Sequence, residues 1–278
     1  HIVEPTDGAL RSLLGGEAEF CTEDGVTLDP AAGTGTFPLA ALDFAVGNAA
    51  EWGGSGYASE VATRMARNLF AFELLVGPYA VTHLRLARAI ADVGGEAPTA
   101  GVGVYLTDTL SEAAQASLAE QIPIFEQRLV EEQIRAGRVK SPETRVTVII
   151  GNPPYDRDTT GFSSTGRRKG GIVRHASESE GTALIADLLS RLDAQARAQQ
   201  ALQLYNDYVY FWRWAIWKAT EQHENGTAIV SYVTASSYLT GNGFGGLRAL
   251  MRERFSDIWI TDLGGDGRGT DADENVFE

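Results

Sequence analysis

The chain has one cysteine, two methionines and four histidines in 278 residues, and each scarcity closes off a chemistry. Cys21 alone can form no internal disulfide and offers no thiolate metal cluster. His1, His83, His175 and His223 are scattered without the paired spacing of metal ligands, so no metal site is expected. Apolar runs are short, and no stretch approaches the roughly 18 consecutive apolar residues that span a membrane. The opening HIVEPTDGALRS lacks both a Met and the charged-then-apolar layout of a signal peptide, and reads as a piece of a cytoplasmic protein. Positive charge is also scarce. Lys and Arg number 23 against 37 Asp and Glu, a net charge of −14, which argues against a surface that grips phosphates everywhere. What is present, 44% hydrophobic and 22% charged residues, is the composition of a folded protein. The length suits one large α/β domain or two modest ones.

Short apolar runs alternate with helical patterns, the rhythm of a parallel sheet with crossover helices. The runs are 25–29, 69–74, 102–106, 145–150, 227–233 and 257–262. Between them, residues 38–46, 58–68, 78–91, 124–136, 201–221 and 244–254 have helical composition. Six strands in a doubly wound, mostly parallel α/β sheet are expected, within one domain spanning 1–278. Gly47 to Tyr57 reads as a glycine-rich break between two helices, and Asp156 to Gly181 as an inserted loop. That loop reverses the chain's charge: between 157 and 174, Arg157, Arg167, Arg168, Lys169 and Arg174 face only Asp158. The aromatics of Tyr205 to Trp217 could form a base-stacking platform, but those at 205, 208, 211 and 212 share a helical face, which favours a core helix.

Two turns carry chemistry. Asp29-Pro30-Ala31-Ala32-Gly33-Thr34-Gly35-Thr36 follows the first strand and opens a helix. Its glycines permit a backbone approach that a Cβ would block. It is neither GxGxxG, since Pro38 stands three residues after Gly35, nor a P-loop, since no Gly-Lys-Ser/Thr follows. A nucleoside cofactor without a pyrophosphate fits such a turn; a ligand-free connection is the alternative. The second turn, Asn152-Pro153-Pro154-Tyr155, ends the fourth strand. Two prolines fix two φ angles and remove two N–H donors, leaving rigidly held carbonyls. The Asn152 side-chain oxygen and the Pro153 carbonyl can accept both N–H hydrogens of a planar amine, of adenine or of a glutamine amide. The nitrogen lone pair is then directed at an electrophilic methyl group. The Tyr155 ring offers a stacking face for a base drawn from its helix. A rigid strand-end turn with a packed Tyr is the structural alternative.

DPAAGTGTF followed by NPPY resembles the paired motifs of amino methyltransferases that use S-adenosyl-L-methionine, and the DPA.GTG form points to the adenine-N6 DNA branch. AFELLVGPYAVTHLRL (71–86), VYLTDTL (104–110), YNDYVYFWRWAIWKA (205–219) and ITDLGGDGR with a later NVF (260–277) resemble the methyltransferase part of type ISP restriction-modification enzymes. Such enzymes join nuclease, helicase, methyltransferase and target-recognition parts in one chain.

The resemblance implies a Rossmann-like class I methyltransferase fold and assigns roles. Asp29, Pro30, Ala31, Gly33, Thr34, Gly35 and Thr36 would contact the methionine part of the cofactor. Glu73 would accept from the ribose hydroxyls and Asp108 from the adenine amino group. Asn152, Pro153, Pro154 and Tyr155 would handle the target base. Glu73 could instead be a solvated helix-cap acid, and Asp108 an ordinary turn residue beside Thr107 and Thr109. The spacing from Gly35 to Glu73 exceeds the roughly 20 residues of a compact βαβ unit, with the Gly47–Tyr57 stretch as the excess. Arg157, Arg167, Arg168, Lys169 and Arg174 would contact the DNA backbone. The chain also departs from the family pattern. Little precedes the first strand to form a cofactor-covering helix, NVFE stops where a last strand would begin, and no target-recognition domain is present.

The expected function is methyl transfer from S-adenosylmethionine to the N6 amine of an adenine flipped from double-stranded DNA. Nuclease, helicase and target-recognition parts are expected on the same longer chain. Cytosine-C5 methylation is disfavoured because it needs a thiol nucleophile and Cys21 has no preceding proline. Glutamine-N5 methylation of a protein, and a catalytically silent cofactor- or DNA-binding module, remain the alternatives.

Overall fold

The computed structural model describes residues 2–14, 20, 25–113, 127–155, 169–176, 181–192, 197–223 and 227–262. Strands β1 (Thr27–Asp29), β2 (Leu69–Glu73), β3 (Gly103–Leu106), β4 (Val148–Gly151) and β5 (Ile229–Tyr232) form one sheet in the order β3-β2-β1-β4-β5. Every neighbouring pair is parallel. This is the expected doubly wound, Rossmann-like α/β arrangement. Chain order reverses between β1 and β4, which opens a crevice at their carboxyl ends.

The strands form where they do because both faces of the sheet are covered. β1 and β4 are buried at every residue; in β4 a continuous apolar run satisfies both sides, while β1 buries Thr27 and Asp29 beside Leu28. Leu28, Phe72, Tyr105 and Ile149 point to one core, which is filled by helix α8 (Asp207–Thr220). Leu69, Ala71, Val104, Val148 and Ile150 point to the other, packed by α2 (Thr36–Asn68) and α3 (Val76–Asp92). Every residue from Tyr208 to Ala219 is buried. The aromatic segment is therefore the expected core helix, and not an exposed stacking platform.

Three expectations are corrected, and a fourth is refined. Residues 257–262 make no strand: Ile258, Trp259 and Ile260 are 44%, 70% and 55% exposed. Their alternation is a local preference, and it becomes a strand only beside a partner backbone. A helix, α1 (Val3–Leu14), does precede β1; Val3 and Leu10 bury against α2 in the second core. The expected glycine-rich break is present as a kink instead of a loop: within α2, Gly54 (φ 72°, ψ −169°) leaves helical geometry and joins two helical pieces. The single helix expected over 201–221 is two, α7 (Arg197–Leu204) and α8, because the Asn206 side chain accepts from Tyr208 N–H at 3.2 Å and starts a new N-terminus.

The remaining helices are α4 (Gln127–Lys140) before β4, α5 (Gly171–Arg174) and α6 (Ala186–Ser190) after it, and α9 (Ser237–Thr240) and α10 (Gly245–Arg254) after β5. Among the described residues no helix is long and apolar enough to cross a membrane.

Candidate functional site at the carboxyl edge of the sheet

The parallel sheet delivers every strand-end turn to one edge, and the two motif turns leave β1 and β4, the strands that flank the crevice. The glycine turn is built by hydrogen bonds to its neighbours. Ala32 N–H donates to Phe72 O at 2.9 Å and Gly33 N–H to the Glu73 carboxylate at 2.8 Å. The other Glu73 oxygen accepts from Leu75 N–H at 2.7 Å. Thr82 and Arg85 of α3 reach across to the Gly33 and Thr34 carbonyls at 2.8 and 2.7 Å, and the Thr109 hydroxyl bonds Pro30 O. Gly35 has φ 84° and ψ 26°, and a Cβ there would lie 2.9 Å from Thr82 Cγ2. Only glycine meets both conditions at that point.

Glu73 thus anchors the turn from the end of β2, and does not stand as an exposed cap. Each carboxylate oxygen has a second lone pair with which to accept from a hydroxyl. Asp108 follows β3 in a turn closed by its own groups: Leu110 N–H donates to its carboxylate at 3.0 Å, and Ser111 N–H and Oγ to its carbonyl at 3.0 and 2.7 Å. Asp29, Gly33, Glu73 and Asp108 thus lie at the adjoining carboxyl ends of β1, β2 and β3.

Asp29 is fully buried. One carboxylate oxygen accepts from Ala31 N–H at 3.0 Å, while buried Oδ2 has no hydrogen-bond partner. Burial pushes its pKa up to about 8, the Glu73 charge adds to the rise, and the Ala31 N–H opposes it. Beside it on β4 stands Gly151, where a Cβ would come within 2.7 Å of Asp29 Oδ1. Gly151 pairs with Tyr232 of β5, whose buried hydroxyl also lacks a partner. Burial raises the Tyr232 pKa well above its ordinary value, and the Asp29 charge raises it further. A glycine-lined turn beside two buried, unsatisfied polar atoms fits a ligand that brings its own hydrogen-bonding groups.

In the second turn, Pro153 is buried while Asn152, Pro154 and Tyr155 are exposed. The Tyr155 hydroxyl donates to Asn152 Oδ1 and reaches Val233 O at 3.2 Å. Burial raises the Tyr155 pKa. Its ring, 45% exposed, lies at the mouth of the crevice. β5 supports the turn through Val233 N–H to Gly151 O at 3.0 Å. On either side of Val233, Tyr232 meets the α8 residue Trp212 edge-on at 5.0 Å, and Thr234 Oγ1 accepts from the Trp212 indole at 3.3 Å.

Of the cations expected to contact DNA, Arg157, Arg167 and Arg168 lie outside the described residues. Lys169 Nζ is 3.9 Å from the Asp207 carboxylate, and the Arg174 guanidinium lies 4.5 Å above the Tyr205 ring, so both sit at the α7–α8 junction. Among the described residues no group of three or more His, Cys, Asp or Glu could hold a metal ion.

Sequence reasoning missed Gly151, Thr82, Tyr232 and Lys140. Gly151 had a signal, as the residue directly before NPPY. Tyr232 is hidden in an ordinary apolar run, and Thr82 and Lys140 act through contacts far along the chain.

No family model matches the sequence, and no curated protein matches it. Solved structures do. A nuclease-deletion mutant of the type ISP restriction-modification enzyme LlaGI, in complex with a DNA substrate mimic, matches 91% of this chain at 20% identity and a TM-score of 0.64. The ATP-dependent type ISP restriction-modification enzyme LlaBIII bound to DNA matches 92% at 22% identity and a TM-score of 0.67. A cryo-EM structure of a DrdV–DNA complex matches 91% at 24% identity and a TM-score of 0.62. This chain spans 19%, 16% and 21% of those chains, respectively. The likeness is one of fold.

Proposed function

We propose that the chain is the catalytic part of an adenine-N6 DNA methyltransferase that uses S-adenosylmethionine and belongs to a restriction-modification enzyme. The observation that carries this reading is the placement of the glycine turn and the NPPY turn on β1 and β4, facing each other across the switch point. The fold likeness to DNA-bound type ISP enzymes supports DNA over a protein glutamine as the substrate.

S-adenosylmethionine supplies an electrophilic methyl group on a sulfonium. The chain's residues bind and orient. Asp29 and the Gly33–Gly35 backbone would hold the methionine end, Glu73 the ribose and Asp108 the adenine, and a cationic group of the cofactor beside Asp29 would favour its ionised form. Asn152 Oδ1 and the Pro153 carbonyl accept the two N–H hydrogens of the target amine, so positive charge developing on nitrogen is stabilised where it forms. Tyr155 releases Asn152 Oδ1 when the amine arrives, and its ring stacks on the flipped base. Transfer needs no covalent enzyme intermediate; it needs alignment. Arg157, Arg167, Arg168, Lys169 and Arg174 would meet the DNA backbone, with nuclease, helicase and target-recognition parts on further segments of the same chain.

Asn152→Ala in the full-length protein tests the reading. Methyl transfer to DNA should fall about a hundred-fold or more, the weight of an acceptor used in the transition state, while cofactor binding is retained. Undiminished transfer by this variant refutes the assignment.

A further inference from the structure

Lys140, the last residue of α4, is 4% exposed. Its ammonium donates to Thr107 Oγ1 at 2.9 Å, to the Asp108 carbonyl at 2.6 Å and to Ser111 Oγ at 3.0 Å. It also lies 5.7 Å from the centre of the Phe72 ring. Burying an ammonium costs several kcal/mol unless oxygens replace its water. Here these three oxygens belong to the turn after β3, which bears Asp108. A Met of similar length would fill the same space and hold none of them.

The lysine is itself held in place. Gln222 Nε2 donates to the Lys140 carbonyl at 2.9 Å. A second buried ammonium, Lys218 of α8, donates to Ser141 O, Thr144 O and Gln222 Oε1 at 2.7, 2.9 and 2.7 Å. Other α4 residues brace the end of β3: Glu132 accepts from Leu106 N–H at 2.6 Å, and the Gln133 amide bonds Leu106 O. From the opposite side Ile172 N–H donates to Leu110 O at 2.8 Å. The Asp108 turn is therefore held by α4 and α5, and Lys140 is the member whose ammonium bonds the turn itself.

We infer that Lys140 is a positioning residue for nucleoside recognition: by fixing the Thr107–Ser111 turn it sets where the Asp108 carboxylate meets a 6-amino group, and so selects adenosine over 6-oxo nucleosides. The inference rests on the cofactor role of Asp108 proposed above. A carboxylate held at one place accepts from an amine and repels a carbonyl oxygen, whereas one on a loosened turn can swing away from either. Lys140 sets that difference without touching the ligand.

The test measures binding of S-adenosylhomocysteine and its 6-oxo analogue S-inosylhomocysteine to the full-length protein by calorimetry. The wild type should prefer the adenosyl compound. Lys140→Met should weaken the adenosyl compound about ten-fold, the weight of one charge-assisted hydrogen bond, and leave the inosyl compound nearly unchanged, so the preference collapses. Asp108→Ala should collapse it equally, with no further loss in the double variant. A merely structural lysine would weaken both compounds alike, and a preserved preference in Lys140→Met overturns the inference. Should that variant fail to fold, Ser111→Ala, which removes one acceptor, should lower the preference two- to three-fold, and an unchanged preference counts against Lys140. A wild type that binds neither compound refutes the cofactor assignment itself, a result distinct from a preference that survives Lys140→Met.

Discussion

Replacing Asp29 with Asn should strengthen the fold and damage the site, and the two effects should separate with pH. In the native protein this carboxyl is fully buried and titrates at about 8, against an ordinary 3.8. Between those values the unfolded chain has lost the proton and the native chain keeps it. Stability therefore falls as pH rises from about 4 to about 8, and it is level above that. At about 1.4 kcal/mol per pH unit over roughly four units, the penalty reaches about 6 kcal/mol at pH 8. Asn has no such titration. It retains an oxygen for Ala31 N–H but adds an amide without an evident acceptor, which costs about 1–3 kcal/mol at all pH values. Asp29→Asn should therefore be slightly less stable than wild type at pH 4 and about 3–5 kcal/mol more stable at pH 8. Urea unfolding of both proteins at several pH values reads the difference directly, because carboxylates common to both cancel. S-adenosylhomocysteine binding should be lost in the same variant. A stability difference that stays constant from pH 5 to 8 would refute the burial argument.

Two further substitutions probe the crevice. Gly151→Ala places a Cβ 2.7 Å from Asp29 Oδ1; it should lower stability by about 1–3 kcal/mol in urea unfolding and reduce methyl transfer by displacing the NPPY turn. Tyr155→Phe removes the hydroxyl that occupies Asn152 Oδ1 and keeps the ring. Transfer should survive with an unchanged or lower KM for DNA, whereas Tyr155→Ala should lose about ten-fold or more through lost stacking. Equal effects of the two Tyr155 variants would place its contribution in the hydroxyl.

Five of the six expected strands form; the run of β4, buried at every residue, shows why such segments stand out, since a parallel strand covered on both faces favours apolar residues throughout. The sixth, 257–262, has the right alternation and no partner strand among the described residues, a fact that no local pattern contains. α1 went unread because its polar positions hide a short apolar stripe of Val3 and Leu10. The glycines of α2 do mark a break, and the structure confines it to Gly54, with Ala45, Ala49, Ala58, Val61 and Ala62 buried on either side. The two functional turns were legible because their chemistry is local: glycines where backbone must approach, prolines where carbonyls must stay rigid. Their supports were not. Lys140 reaches a turn some thirty residues earlier in the chain, and the gap at Gly151 has meaning only beside Asp29, so both appear only once the sheet has assembled.

The central claim is the identity of the methylated atom. Full-length protein incubated with double-stranded DNA and isotopically labelled S-adenosylmethionine, followed by mass spectrometry of the digested nucleosides, reads it directly. Label in N6-methyl-2′-deoxyadenosine and in no other nucleoside is the predicted result. Label in 5-methyl-2′-deoxycytidine, in the protein fraction alone, or in none of these despite tight cofactor binding, would contradict it.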